Sequence, residues 1–356
     1  MTDLNDALRF AGQGGLATRF TRIGRHEAAR LCQEAYGISG AMKRLETEKD
    51  DTYLITAPDA RYILKIANPD ETQGELDLQN AVLDHLAEHF TRPAPRVIRA
   101  RTGEGMLREP ASGRFYRLLS FVEGTPLDMM ETRTETLPEI GRVLAELRLA
   151  LGGFRHPHQS RQLVWDVQHV MRLRPLLGEV SLPPRHQALA GEAFARLAEV
   201  AHRIPALPRQ VVHNDFYASN IVADPETGHV TGVIDFGDVV ESAVAIDLAV
   251  ALMGQILKAF TPDQDIFANA YPVLAGYLER APLSDEELAI IPHMVMARVL
   301  VRAVMTQYRA ALMPENAPYI LRNAAPSWAQ LQWFLARPTA EVEAILRARP
   351  EFRRGS

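Results

Sequence analysis

The chain is predicted to be α+β and two-lobed, with a small β-rich N-terminal lobe and a larger, mostly helical C-terminal lobe. Three observations carry this. Strand-like runs crowd between Met42 and Val122. Beyond Gly124 the apolar spacing is helical almost throughout. Strand character returns only around residues 210–235, as short apolar runs that bracket a polar loop.

Residues 1–24 are weakly patterned and read as a loose lead-in with one short helix. The N-terminal lobe is expected over 25–119. It opens with an amphipathic helix at 25–37 that stops at Gly37. Thr52–Thr56 and Arg61–Ile66 are β-rich runs joined by the turn-like Ala57-Pro58-Asp59-Ala60. A helix follows at 71–89, with Leu76, Leu83 and Leu86 on its apolar face. Pro93-Ala94-Pro95 introduces a strand pair, Arg96–Ala100 and Phe115–Val122. A hinge at 120–124 leads to a helical lobe over 125–356. Its helices are predicted at 135–151, 160–175, 184–203, 240–260, 263–280, 284–312, 326–336 and 339–348, with Pro292 as a break or kink in the sixth.

Composition narrows the classes. Hydrophobic residues make up 47% and charged residues 23%, as in ordinary globular proteins. The net charge is −5, and no basic stripe or Lys/Arg cluster points to nucleic acid or a membrane surface. The apolar runs 243–260 and 287–304 are interrupted by Asp247, Arg298 and Arg302, so they read as buried helices. Met1–Asp6 has neither the basic nor the apolar region of a signal peptide. A single cysteine, Cys32, fits a reducing cytoplasm. The expected partner is a small molecule bearing a hydroxyl group, taken by a monomer or homodimer.

The chemistry lies in two short segments. His213-Asn214-Asp215-Phe216-Tyr217-Ala218-Ser219-Asn220 reads H-x-D-x-x-x-x-N, and Asp235-Phe236-Gly237-Asp238 follows twenty residues after Asp215. Each motif alone is most often a loop or a turn after a strand. In order, and with a strand lysine upstream, they form the layout of a phosphoryl-transfer site. Asp215 would orient the attacking hydroxyl and take its proton. Asn220 and Asp235 offer the oxygen donors that Mg²⁺ prefers. His213 would hold the loop. Gly237 lets the chain turn after the metal acid. Lys65, near the end of Arg61–Ile66 and 150 residues before Asp215, is placed to hold nucleotide phosphates. Glu75 and Asp77 on the following helix are both candidates to pair with it. No G-x-G-x-x-G precedes the lysine; Leu45–Thr52 stands there instead.

These segments resemble the aminoglycoside phosphotransferase and choline kinase superfamily. The general likeness rests on His213–Asn220 and Asp235–Asp238. A closer likeness, to the hydroxylysine kinase branch, rests on Tyr62–Asn68, Leu76–Asn80, Val233–Val239 and Pro314-Glu315-Asn316 ahead of Ser327-Trp328. The resemblance implies a protein-kinase-like fold, ATP or GTP with Mg²⁺, and a small acceptor that is often amino-bearing. It places the purine against the backbone of Ser120, Phe121 and Val122. It also puts Gln79 where aminoglycoside kinases carry the lysine-pairing Glu.

The last helices are expected to build the acceptor pocket. Arg298 and Arg302, one turn apart, are candidates for a substrate carboxylate; a salt bridge to an acid such as Asp247 is the alternative for a buried arginine. Asp238 and Glu241 are candidates for a substrate ammonium, with helix capping as the alternative. Asp247 would brace the catalytic loop. Tyr308 and Trp328 read as core aromatics. The function expected is therefore a small-molecule O-kinase acting on 5-hydroxylysine or a similar compound. Homoserine, choline and aminoglycosides are the enzymatic alternatives, and an inactive nucleotide-binding regulator is the non-enzymatic one.

Overall fold

The computed structural model describes residues 3–13, 20–47, 49–314, 317–321, 324–349 and 352. Glu315 and Asn316 of the branch motif, and Glu351, Arg353 and Arg354 of the tail, lie outside them. Two helices come first, α1 (Leu4–Ala11) and α2 (Arg25–Tyr36). A six-stranded antiparallel sheet follows, built from β1 (Ala41–Leu45), β2 (Asp51–Thr56), β3 (Arg61–Ile66), β4 (Val97–Ile98), β5 (Leu107–Arg108) and β6 (Phe115–Ser120). The helix α3 (Gln73–His89) crosses between β3 and β4. Its start is fixed by a capping box. Thr72 Oγ1 accepts from the Glu75 amide, and the Glu75 carboxylate accepts from the Thr72 amide.

Period-two alternation divides the sheet chemically. Leu64 and Ile66 of β3, with Tyr116 and Leu118 of β6, share one core with Leu31 and Cys32 of α2. Each such fully buried aliphatic side chain contributes about 1.5–3 kcal/mol. The intervening residues face the other way. Lys65 therefore stands directly across from Arg117 of β6 on the face that meets α3. Two cations so placed repel one another unless acids surround them, and here acids do.

Gly124, at φ +136, ends the link between the lobes; a Cβ there would meet Thr231 Oγ1 at 2.5 Å. The short strand β7 (Thr125–Pro126) then pairs with a later strand over residues 221–223, so the helical lobe begins with a strand. The elements after it are α4 (Thr136–Ala150), α5 (Pro184–Val200), β8 (Arg209–Val212), β9 (Ile221–Ala223), β10 (Val230–Val233), β11 (Val240–Ala243), α6 (Val244–Gln255), α7 (Ala270–Leu278), α8 (Asp285–Leu312), α9 (Ala317–Leu321), α10 (Ala324–Leu335) and α11 (Thr339–Arg347).

Five expectations need correction. Residues 160–166 are turns, and Val167–Gly178 is a 3-10 stretch in place of an α-helix. Pro175 inside it removes a backbone donor that an α-helix would need. The segment after Asp235 starts as β11, since Val239-Val240 is β-branched and Val240 pairs with Val212 of β8; only then does α6 begin. Helix α7 starts at Ala270 because Asp265 Oδ1 takes the Phe267 amide and holds a turn. Pro292 neither breaks nor ends α8, which runs unbroken for 28 residues from its own capping box at Ser284 and Glu287. The lead-in helix α1 is not loose: Ala7 and Phe10 are buried, and Asp6 pairs with Arg172 at 2.8 Å in the helical lobe.

By length and composition α8 would suffice to cross a membrane, but 94% of its most apolar window lies inside the protein, so it is a core helix. His293 on this helix is fully buried, and neither ring nitrogen has a hydrogen-bond partner among the described residues. Burial pushes its pKa down to about 4, against the opposing charge of Glu343. The unfolded chain therefore binds a proton near pH 6.5 that the folded chain refuses until about 4. Stability should be complete above pH 6.5 and fall as pH drops toward 4. His293→Leu should raise stability at neutral pH by about 1–3 kcal/mol and flatten this slope, as read by thermal melts across pH 4–8.

Candidate functional site

The catalytic loop hangs between β8 and β9 and is pinned from below. Asp247 of α6 accepts from the amides of His213 at 3.2 Å and Asn214 at 2.8 Å. His213 Nε2 lies 3.1 Å from the Ile234 carbonyl, and His213 Nδ1 accepts from the Asp215 amide at 3.3 Å, so the proton belongs on Nε2. The ring is flanked by Phe216 and Phe236. Asn214 takes φ +62 and Asp235 φ +58, left-handed conformations that Asn and Asp tolerate better than most residues.

Asn220 donates its amide to the Asp215 carbonyl at 2.9 Å and to Asp215 Oδ2 at 2.7 Å. Asp215 Oδ1 accepts from Arg298 Nη2 at 3.2 Å. Burial raises the Asp215 pKa to about 7, the Asp238 carboxylate adds to the rise, and Arg298 opposes it. A carboxylate tuned near neutrality suits a proton acceptor. The side chains of Asp215 and Asp235 remain 36% and 49% exposed, so both face the cleft.

Lys65 reaches across the cleft to Asp235 Oδ1 at 2.9 Å, with Asp50 Oδ2 at 3.9 Å. The lysine charge holds the Asp235 carboxyl well below the usual range. Burial opposes the charge on Lys65, but the two carboxylates outweigh it and keep the ammonium above its ordinary range. Neither Glu75 nor Asp77 forms an ion pair with Lys65. Glu75 is committed to its cap and lies 3.9 Å from Arg161, and the partners of the lysine are Asp50 and Asp235 instead. Gln79 accepts from Arg117 and donates to Glu71 at 3.2 Å. Glu71, buried just before the cap of α3, supplies the acid that Gln79 lacks. Arg161 fastens the turn after Asp235, donating to the carbonyls of Gly237 and Val239.

A divalent cation fits this set. Asn220 uses its amide nitrogen on Asp215, and no protein donor meets its side-chain oxygen among the described residues. The second carboxylate oxygen of Asp235 is likewise uncommitted. Among the described residues no three His, Cys, Asp or Glu side chains cluster as a metal cage. An ion held by Asn220 and Asp235 would complete its shell with phosphate and water oxygens, as Mg²⁺ commonly does, and would neutralise phosphate charge. At the hinge, the Ser120 and Phe121 amides donate to the carbonyls of Arg96 and Arg61. The Val122 amide has no protein acceptor among the described residues, which leaves it for a ligand.

The acceptor side differs from expectation. Arg298 holds Asp215 and the carbonyls of Trp165 and Asn214, so it positions the Asp215 carboxylate and is not free for a substrate carboxylate. Among the described residues Arg302 meets only uncharged groups: Ser327 Oγ at 2.9 Å, Gln330 Oε1 at 2.8 Å, and Tyr217 Oη and Met253 Sδ, each at 3.3 Å. Asp238 pairs with Lys49 at 3.5 Å. Glu241 lies on β11, caps no helix, and accepts from Ser160 at 2.7 Å.

Carboxylates, amides and lysines grouped around a cleft between two lobes suit the transfer of a phosphoryl group, and the class is that of kinase-type phosphotransferases. A profile of the phosphotransferase enzyme family, APH, matches residues 43–289. The chain belongs to that family and is a small-molecule kinase. It is 25% identical over 347 residues to hydroxylysine kinase from Xenopus laevis, covering 90% of this chain and 91% of that protein. The fold is shared with a microcompartment-associated aminopropanol kinase at TM-score 0.71 and 21% identity, covering 87% of this chain and 97% of the other. It is also shared with the amicoumacin kinase hAmiN, solved with AMP-PNP, Ca²⁺ and Ami, at TM-score 0.65 and 16% identity, covering 87% and 98%.

Proposed function

We propose that this protein transfers the γ-phosphoryl group of ATP to the hydroxyl of a hydroxylated amino acid, with 5-hydroxylysine or a close relative as acceptor. The convergence of Asp215, Asn220, Asp235 and Lys65 in one cleft carries the reading. Asp215 takes the hydroxyl proton; Asn220 and Asp235 hold Mg²⁺; Lys65 holds phosphate; Ser120, Phe121 and Val122 receive the purine. His213, Asp247 and Arg298 keep the base in place. The whole-length likeness to hydroxylysine kinase supports the acceptor class. The buried free thiol of Cys32 supports a reducing compartment, the cytoplasm.

Arg302 favours an acceptor that carries a carboxylate. Its guanidinium has no acidic partner among the described residues, it contacts Tyr217 two positions past the base, and it lies one helical turn from Arg298. That turn is about 6 Å of helix rise, a span suited to a short hydroxy-amino acid. Choline and aminoglycosides offer no carboxylate to this arginine, whereas homoserine does, so homoserine is the second reading.

Release of nucleoside diphosphate, with ATP and GTP each tested against 5-hydroxylysine, homoserine, choline, ethanolamine and aminoglycosides, tests the proposal. The amino acids should lead. A response confined to choline or an aminoglycoside would overturn it, and silence with nucleotide binding intact would favour the inactive regulator. Arg302→Met should raise KM for the amino acid about 10- to 100-fold, the worth of a charge-assisted contact, while kcat changes far less.

A further inference from the structure

The loop between β1 and β2 stands where a glycine-rich phosphate loop would be expected, and it carries a lysine. Lys49 lies 3.5 Å from Asp238 and 3.8 Å from Glu71. Only 22% of its side chain is exposed. The loop is held in place around it: Asn68 donates its side-chain amide to the Lys49 carbonyl at 3.1 Å and its backbone amide to Asp50 Oδ1 at 3.1 Å. Lys49 therefore repeats the geometry of Lys65. Each lysine starts from the sheet lobe, crosses the cleft, and meets an acid of the Asp235–Asp238 turn.

We propose that Lys49 is a second phosphate-holding lysine, one that exchanges Asp238 for the terminal phosphate of the bound nucleotide and so replaces the absent glycine-rich loop. Two facts support this beyond position. A glycine-rich loop grips phosphate through bare amide groups; here Glu46, Thr47 and Asp50 bring acceptors and acids, and Lys49 is the one cation in the sequence between β1 and β2. Second, the exchange does not isolate Asp238. An anionic phosphate takes the ammonium, and Asp238 stays beside the Arg161 guanidinium, which donates to the carbonyls of Gly237 and Val239 on either side of it.

The inference rests on the ATP-kinase reading but is tested without knowledge of the acceptor. Binding of AMP-PNP and of ADP, each with Mg²⁺, is measured by calorimetry on the full chain. Lys49→Met should weaken AMP-PNP at least tenfold and ADP less than threefold, and Lys49→Arg should restore most of the loss. Asp238→Asn provides a second arm. With its competitor removed, Lys49 is released and AMP-PNP should bind a few-fold tighter. A purely structural latch predicts the opposite, weaker binding in both variants and equal losses for the two nucleotides; either outcome overturns the proposal. If the wild-type chain binds neither nucleotide, the ATP reading falls and the proposal with it. If it binds both and Lys49→Met changes nothing, only the role of Lys49 falls.

Discussion

Asp215→Asn should lower kcat by about 10²- to 10⁴-fold, the usual worth of a positioned proton acceptor, while nucleotide affinity stays within a few-fold. Phosphoryl transfer asks little covalent chemistry of the protein, so the loss is confined to aiming the hydroxyl and accepting its proton. Binding is spared because the contacts proposed for purine, phosphate and metal come from the hinge, Lys65, Asn220 and Asp235. The substitution also has a structural consequence. Both groups that touch the carboxylate, Arg298 Nη2 and Asn220 Nδ2, are donors. A carboxamide can accept from one of them only and turns its own N–H groups on the other. A loss of about 1–3 kcal/mol of stability is expected from that mismatch. The two effects separate experimentally: steady-state turnover and calorimetric nucleotide binding report the first, thermal melts the second. Undiminished turnover in a folded variant would remove Asp215 from its role.

The parts of this protein that were legible in its sequence are those whose chemistry is local. Residues 213–220 must sit close together to serve one hydroxyl and one cation, so their spacing is short and readable. The helix face through Leu76, Leu83 and Leu86 follows from periodicity alone. What escaped was decided by tertiary partners. Lys65 could be recognised as a strand cation, but its acids come from the loop before β2 and from Asp235, and no helical spacing points to them. Glu71 had one usable signal, an acid placed immediately ahead of a helix cap, yet its burial became visible only once Arg117 and Lys49 were seen around it. Arg298 and Arg302 are indistinguishable on a helical wheel. Among the described residues the structure gives one an acid and the other uncharged neighbours, and the recognition role proposed for Arg302 rests on that difference. Strand β11 failed for a related reason. Val239-Val240-Glu241-Ser242-Ala243 runs straight into the apolar start of α6 and suits a helix as well as a strand, and pairing with β8 decides between them.

Asp235→Ala should abolish the Mg²⁺ dependence of nucleotide binding, so that affinity with the cation falls to the value measured without it. The carboxylate is shared: Oδ1 takes the Lys65 ammonium at 2.9 Å and the Gly237 amide at 3.3 Å, and the other oxygen is open to the cleft. Removing it takes away one of two protein ligands from an ion that would rely on phosphate for the rest. It also leaves Lys65 with Asp50 alone, at 3.9 Å. Two penalties unrelated to metal accompany alanine. At φ +58 a side chain that cannot hydrogen-bond locally is strained by about 1–2 kcal/mol, and a mostly buried ammonium loses its nearer partner. Asp235→Asn separates these from the metal effect, since Asn tolerates the left-handed backbone and still offers Lys65 an acceptor. If Asp235 binds the cation through its charge, Asn should lose most of the Mg²⁺ response and keep most of the stability. Should Asn retain the full Mg²⁺ response while alanine melts early, Asp235 is a backbone and lysine anchor, and the cation must be sought elsewhere in the cleft.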